Sequence, residues 1–207
     1  MSPRRLAVPP GRAGRLWLTR RLAVARRGAD LLDRKLQVLR RELDQRRGWE
    51  ASAAAEWQRR QADADSWLLR AALLGGERAV RLAAADTFAE VTISYAATMG
   101  VRYPTDATCI TPPPMGGDGP ALAAAREAHR VALAAAVQHA AAAEAFRVLE
   151  AETIATRYRL RAVRDRWIPR LEQALAEVTF ALEELERADA ARLRLAAAAR
   201  DRPSAAG

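Results

Sequence analysis

Leucine and alanine recur along residues 18–43 at a spacing that gathers them on one side of a helix. Leu18, Leu22, Ala25, Ala29, Leu32, Leu36, Leu39 and Leu43 lie alternately four and three residues apart. That is the a/d pattern of a heptad repeat, whose 3.5-residue period keeps one stripe turned toward a partner helix. Charged residues flank the stripe: Arg20, Arg21, Arg26, Arg27, Asp30, Asp33, Arg40, Arg41 and Glu42. In the same register Arg46 and Glu50 fall on the seam and weaken it. It recovers through Ala53, Trp57, Arg60, Ala64, Trp67, Ala71 and Leu74 before Gly75–Gly76 punctuates the helix. Residues 15–85 are therefore expected to form one long coiled-coil helix, after an irregular leader over 1–14 marked by Pro3, Pro9, Pro10, Gly11 and Gly14.

The period then changes. Val91, Ile93 and Tyr95 alternate with Thr92, Ser94 and Ala96, the pattern of a short strand. Gly100 is placed to turn the chain, and Val101–Arg102–Tyr103 to begin a return strand. Pro104, Pro112–Pro113–Pro114, Gly116, Gly117, Gly119 and Pro120 make the following stretch a loop. Residues 86–120 are thus expected to be a β-hairpin and Pro/Gly-rich insertion.

A second long helix is expected over 121–200, with a frayed tail over 201–207. Its first third is Ala-rich. Leu149, Thr153, Thr156, Leu160, Val163 and Trp167 then keep the four-three spacing, as do Leu171, Ala174, Val178, Ala181 and Leu185. Between Trp167 and Leu171 two steps of four adjoin. Such a stutter locally unwinds a supercoil. It coincides with Pro169, which is expected to kink the helix. Two long helices around a short insertion predict an all-α dominated fold: a long antiparallel two-helix coiled coil carrying a short mid-chain β-hairpin. At 1.5 Å per residue the rod is expected to span roughly 100–120 Å. A symmetric fold-back brings Leu39 near Trp167 and Leu18 near Ala188.

Composition agrees with slim helical interfaces. Half of the 207 residues are hydrophobic, largely Ala, and only 5% are aromatic. Net charge is +9 and unevenly placed. Residues 1–48 hold 14 basic and 4 acidic side chains, net +10; the remainder holds 20 and 21, net −1. A basic block of this kind fits an acidic protein surface, nucleic acid or an anionic membrane, as well as a plain solvated face. Interleaved aromatics that would favour a nucleic-acid platform are absent from the block beyond Trp17. Cys109 is the single cysteine, which excludes an internal disulfide. No stretch approaches the ~20 apolar residues of a membrane span. The first fifteen residues have charge but no apolar core, so no secretory signal is expected. There is no phosphate-cradling G-x-x-x-x-G-K-[ST] sequence. His129, His139 and Cys109 do not form a metal-ligand spacing. Glu183, Glu184 and Glu186 read as a solvated helix face. No catalytic, cofactor-binding or metal-ligating residue is assigned.

Four segments, in order, resemble one family. Arg21 to Lys35, RLAVARRGADLLDRK, ends in a Gly-x-Asp-Leu-Leu-x-x-Lys pattern; Ala97 to Pro104 reads ATMGVRYP. Ile168–Pro169–Arg170–Leu171–Glu172 follows, and Leu182 to Arg187 precedes Arg192–Leu193. Together they resemble the D subunit of V/A-type ATPases, the central rotor stalk. The resemblance implies a non-catalytic shaft without cofactors, cytoplasmic and peripheral to the membrane through its complex. It implies three partners: a hexamer of catalytic and non-catalytic nucleotide-binding subunits, the small F subunit of the stalk, and a funnel-shaped subunit above the membrane ring. Nucleic acid and direct membrane insertion are not implied. Arg20, Arg21, Arg26, Arg27, Arg164, Arg166 and Arg170 then become candidate hexamer contacts, with simple solubility as the other explanation. Periodicity by itself leaves a free-standing coiled-coil scaffold and a basic nucleic-acid-binding helical protein open.

Overall fold

A computed structural model describes residues 6–83, 88–113 and 119–200. The expected tail over 201–207, the first five residues of the leader and parts of the insertion lie outside these. Helix α1 covers Gly11–Leu82, β1 Glu90–Thr98, β2 Val101–Ile110, α2 Pro120–Arg161 and α3 Ile168–Arg200. A π-helical segment, Ala162–Trp167, joins α2 to α3. The chain divides into two compact units. One holds residues 1–34 and 157–207, the other residues 35–156.

In the first unit the start of α1 packs antiparallel on α3. Arg26 Nη2 lies 2.7 Å from Glu172 Oε1 and Arg12 Nη2 lies 2.9 Å from Glu186 Oε1, so fourteen residues along one helix match fourteen along the other. Leu18, Leu22, Ala25 and Leu171 form the buried core, with Trp17, Trp167, Ile168, Ala174, Leu175 and Val178 packed around it. The helix begins at Gly11, four residues before the expected start. Leu6 and Val8 of the leader also pack on this core. Gly14 permits that approach, because a Cβ there would sit 2.0 Å from the Pro9 carbonyl oxygen.

The expected seam is buried along α1. Leu18, Leu22, Ala25, Ala29, Leu36, Leu39 and Leu43 are buried, and Leu32 is half-buried. Leu160 and Leu171 are buried, while Val163, Trp167, Ala174 and Val178 are half-buried. Ala181 and Leu185 depart from expectation. Both are exposed, Leu185 by 60%. The Arg12–Glu186 pair shows that α1 still accompanies α3 at this level, so here the heptad spacing of α3 continues without burying its a/d positions.

The disturbance expected at Pro169 takes the form of the π segment. A proline cannot donate a backbone hydrogen bond, and its ring crowds the carbonyl four residues earlier. Just before it, the Ile168 amide donates to the Val163 carbonyl, five residues back. A wider turn inserts the extra residue that the stutter calls for.

In the second unit α1 packs antiparallel on α2. Leu39, Leu43, Ala145 and Leu149 form its apolar core together with Tyr103 of β2. The expected pairings of Leu39 with Trp167 and Leu18 with Ala188 are not found, since Leu39 packs with Leu149 and Trp167 packs with Leu18. A symmetric fold-back with one unbroken register ignores two features. One is the π segment; the other is a break in α1 at Gly76, where φ is 75° and ψ 159°. Of the polar seam positions on α1, Arg46 pairs with Glu42 and Glu50 lies 3.7 Å from His139, and other residues on or beside the seam make further contacts. Lys35 Nζ lies 2.8 Å from Glu152 Oε1, and Trp57 stacks on His139 with ring centroids 5.2 Å apart. Farther along, the buried positions are Ala64 and Ala71 on α1 and Ala125 and Ala132 on α2, consistent with the slim interface read from composition.

The hairpin expected from the period-two stretch is present. Strands β1 and β2 pair antiparallel from Glu90↔Ile110 to Thr98↔Val101, with a bulge at Ser94/Tyr95. Met99 (φ 51°) and Gly100 (φ 80°) close it with the two positive φ angles of a type I′ turn. Its inner side reaches the coil through Tyr103, Ala96 and Val101. Gln138 of α2 anchors the other end, donating to the Ala107 carbonyl at 2.5 Å and to Asp106 Oδ1 at 2.8 Å.

Candidate interaction surface

The seven arginines proposed from sequence separate by what holds them. Arg26 is paired with Glu172, and Arg164 Nη1 lies 3.7 Å from Asp33 Oδ1. These two carboxylates already answer their charge. Arg20, Arg27, Arg166 and Arg170 make no ion pair among the described residues. All but Arg170, which is half-buried, are exposed. Arg21 is a third case. Its guanidinium lies 4.8 Å from the Trp17 ring centroid and 5.4 Å from that of Trp167. An arginine held over indole faces loses rotamer freedom while its N–H donors stay available around the rim.

Of the seven, Arg20 and Arg21 share one place. Trp17, Arg20, Arg21, Val24, Ala25 and Trp167 line an open groove of about 490 Å³ on the first unit. Heptad geometry explains the arrangement. Trp17 precedes seam residue Leu18, and Arg21 follows it by one turn on the same flank. Trp167 comes from the π segment across the interface. Sequence reasoning placed Trp167 on the seam and treated Trp17 as a lone aromatic. The four-residue spacing of Trp17 and Arg21 was the local signal that they meet.

A second open groove, about 260 Å³, lies on the other unit between Arg60, Asp63, Trp67 and the Ala124–Val131 stretch of α2. Its surroundings are charge pairs within single helices. A hydrogen bond from Arg60 holds the Glu56 carboxyl below its ordinary range, and Arg130 does the same for Glu127. Arg147 likewise lowers Glu144. Each pair spans three or four residues of an exposed helix face, the usual spacing of a solvated salt bridge. The expected solvated face at Glu183, Glu184 and Glu186 is likewise tied to arginines: Arg187 reaches Glu183 and Glu184, and Arg12 reaches Glu186.

Among the described residues no three His, Cys, Asp or Glu side chains gather where a metal ion would sit. Among the described residues no helix is long and apolar enough to cross a membrane. The groove on the first unit offers contacts, chiefly cationic and aromatic. A family model describing the D subunit of ATP synthase matches residues 16–198. No curated protein matches the chain.

Proposed function

Because the chain belongs to the ATP synthase D-subunit family, whose members are stalk subunits of rotary ATPases, we propose that it is the central rotor shaft of a V/A-type enzyme. The observation that carries this reading is the extent of the family match. It takes in the hairpin and nearly all of both long helical stretches, which supports one role for the whole architecture.

In this role the antiparallel helices project into a hexamer of catalytic and non-catalytic nucleotide-binding subunits. Those subunits bind and turn over nucleotide; the shaft supplies no catalytic group. Two unlike helices present a different surface at each angle. Every orientation therefore favours a different nucleotide state at each catalytic interface, which is the differential contact that any conformational coupling requires. The small F subunit and the funnel-shaped subunit above the membrane ring hold the other end. Ion flow through the ring turns the shaft during synthesis, and hydrolysis turns it backwards. The buried seam suits transmission of torque, because Leu18, Leu22, Leu171 and their neighbours lock one helix against the other. The chain works in the cytoplasm, attached to the membrane only through its complex.

Affinity purification of the tagged chain from its own cells tests the proposal. Two large nucleotide-binding subunits should co-purify in equal amounts, and the pure chain should hydrolyse no ATP. Recovery of the chain alone would favour a free-standing scaffold. Recovery with DNA, released steeply by salt, would favour a nucleic-acid-binding protein.

A further inference from the structure

A second stripe runs along α1, on the side turned away from the seam. Leu16, Arg20, Val24, Arg27, Leu31 and Arg34 follow one another at steps of four, four, three, four and three. At 100° per residue they fall within about 80° of arc, centred about 170° from the seam of Leu18, Leu22, Ala25 and Ala29. Leu16 is 53% exposed, Val24 66% and Leu31 64%. Between them Arg20, Arg27 and Arg34 are exposed and make no ion pair among the described residues. Charges flanking the seam behave differently, since Arg12, Arg26 and Asp33 are each paired with α3 or the π segment. Isolated exposed leucines need no explanation, but a regular apolar row with unanswered cations between its members has the form of a helix face awaiting a cover.

We infer that this outward face of α1, with the Trp17–Arg21–Trp167 groove on its flank, is a docking surface for an acidic–aliphatic segment of a partner protein. The segment carries aliphatic side chains with Asp or Glu between them, so that apolar meets apolar and carboxylates meet arginines. The stripe itself argues against other occupants. A second copy would set three arginines against three arginines. Nucleic acid has no use for the aliphatic members, and the two indoles that might stack on bases are engaged with Arg21. The inference rests on the shaft reading, in which the covering segment belongs to the inner wall of the nucleotide-binding hexamer. It adds which side of α1 faces that wall and what chemistry the wall presents there.

The test uses the full chain and the hexamer of nucleotide-binding subunits from the same complex, with binding followed at two salt concentrations. Three variants are compared with the wild type: Arg20→Glu/Arg27→Glu, Val24→Asp/Leu31→Asp, and the seam-flank control Arg12→Glu/Glu186→Arg, which keeps its intrachain pair. The two stripe variants should bind at least about tenfold more weakly while retaining helicity, and the control should bind within about threefold of the wild type. For the charge-reversed variant, the loss should shrink at high salt and be restored by reversing an acidic residue of the wall. If the wild type binds the hexamer and both stripe variants bind equally well, this face is not the docking surface, although the shaft reading stands. If the wild type does not bind the hexamer, the shaft reading itself fails. If the stripe variants lose binding only to anionic phospholipid vesicles or to duplex DNA, the partner is not an acidic protein segment and the inference is overturned.

Discussion

Replacing Tyr103 by Ala should release the hairpin from the coil. The ring is 2% exposed and packs with Leu39, Leu43, Ala145 and Leu149. Its hydroxyl shares a 2.9 Å hydrogen bond with Thr98 Oγ1, and the Arg46 guanidinium lies 5.2 Å from the ring centroid. Truncating a buried aromatic to Ala costs about 3–5 kcal/mol, including the cavity it leaves. Loss of one neutral hydrogen bond costs about 0.5–1.5 kcal/mol. The cation–π contact contributes about 0.5–1 kcal/mol. Apolar packing is thus the dominant contribution, and Tyr103→Phe should retain most of the stability that Tyr103→Ala loses. A two-stranded hairpin alone is marginal in water, so undocking should also melt it. Urea denaturation followed by far-ultraviolet circular dichroism measures the first effect, and amide hydrogen exchange across Glu90–Ile110 measures the second. In Tyr103→Ala, exchange should accelerate over both strands while α1 and α2 stay protected. Equal losses in the Phe and Ala variants would show that the hydroxyl, not the packing, holds the hairpin. Unchanged exchange over the strands would show that Tyr103 does not anchor it.

Two positions of equal standing in the sequence pattern should behave unequally. Leu171→Ala, at a fully buried site, should cost about 2–5 kcal/mol, whereas Leu185→Ala should stay within about 0.5 kcal/mol of wild type, as chemical denaturation can show. If Leu185→Ala proves as costly, α3 has a partner there that the single chain does not contain. Acid should loosen the exposed helix faces. Glu56, Glu127 and Glu144 have carboxyls held below their ordinary value of 4.5, so their pairs stabilise the fold above that pH and cease to do so as pH falls through the depressed values. The pairs are exposed, so the effect should be small, reduced by salt, and in the case of Glu127 removed by Arg130→Gln. An acid titration of helicity with no dependence on salt would contradict this origin.

The coil was legible because heptad periodicity is a local signal repeated many times. Seven of the eight α1 seam residues from Leu18 to Leu43 are buried, and one wrong residue would not have obscured the rest. The hairpin was legible from an alternation of three apolar residues and a Gly, since Met99–Gly100 supplies the two positive φ angles of the turn. Register was not legible. A heptad seam is self-similar under a shift of seven, so the pairing of Leu39 with Leu149 depends on where the helices break, not on the seam. Nor did the seam announce its own end. Ala181 and Leu185 keep the spacing, yet both are exposed although Arg12 of α1 reaches Glu186 beside them. The groove was hidden for a related reason. Trp17 and Trp167 stand 150 positions apart in sequence, and only the register brings both over Arg21.

The π segment and the polar layer at Lys35 and Glu152 depart from a uniform coil, and their chemistry bears on how the proposed shaft would transmit rotation. Apolar layers such as Leu18 with Leu171 resist sliding because displacement would open voids in a close-packed core. The layer at Lys35 and Glu152 is held differently, by a part-buried ion pair and by Thr156 Oγ1, 3.4 Å from Glu152 Oε1. Thr153 Oγ1 is buried there with no hydrogen-bond partner among the described residues. A few residues farther along the chain, the π segment replaces the regular helical ladder with a wider turn. Ion pairs tolerate misalignment better than interlocked leucines do, because Coulomb attraction falls off gradually with distance whereas close packing does not. A polar layer also fixes which residues face each other, as polar a-position residues do in shorter coiled coils. Stiff apolar layers are thus found where α1 meets α3 in one unit, and a more forgiving polar layer where α1 meets α2 in the other. In the proposed rotor, this would let the interface yield locally without losing its register.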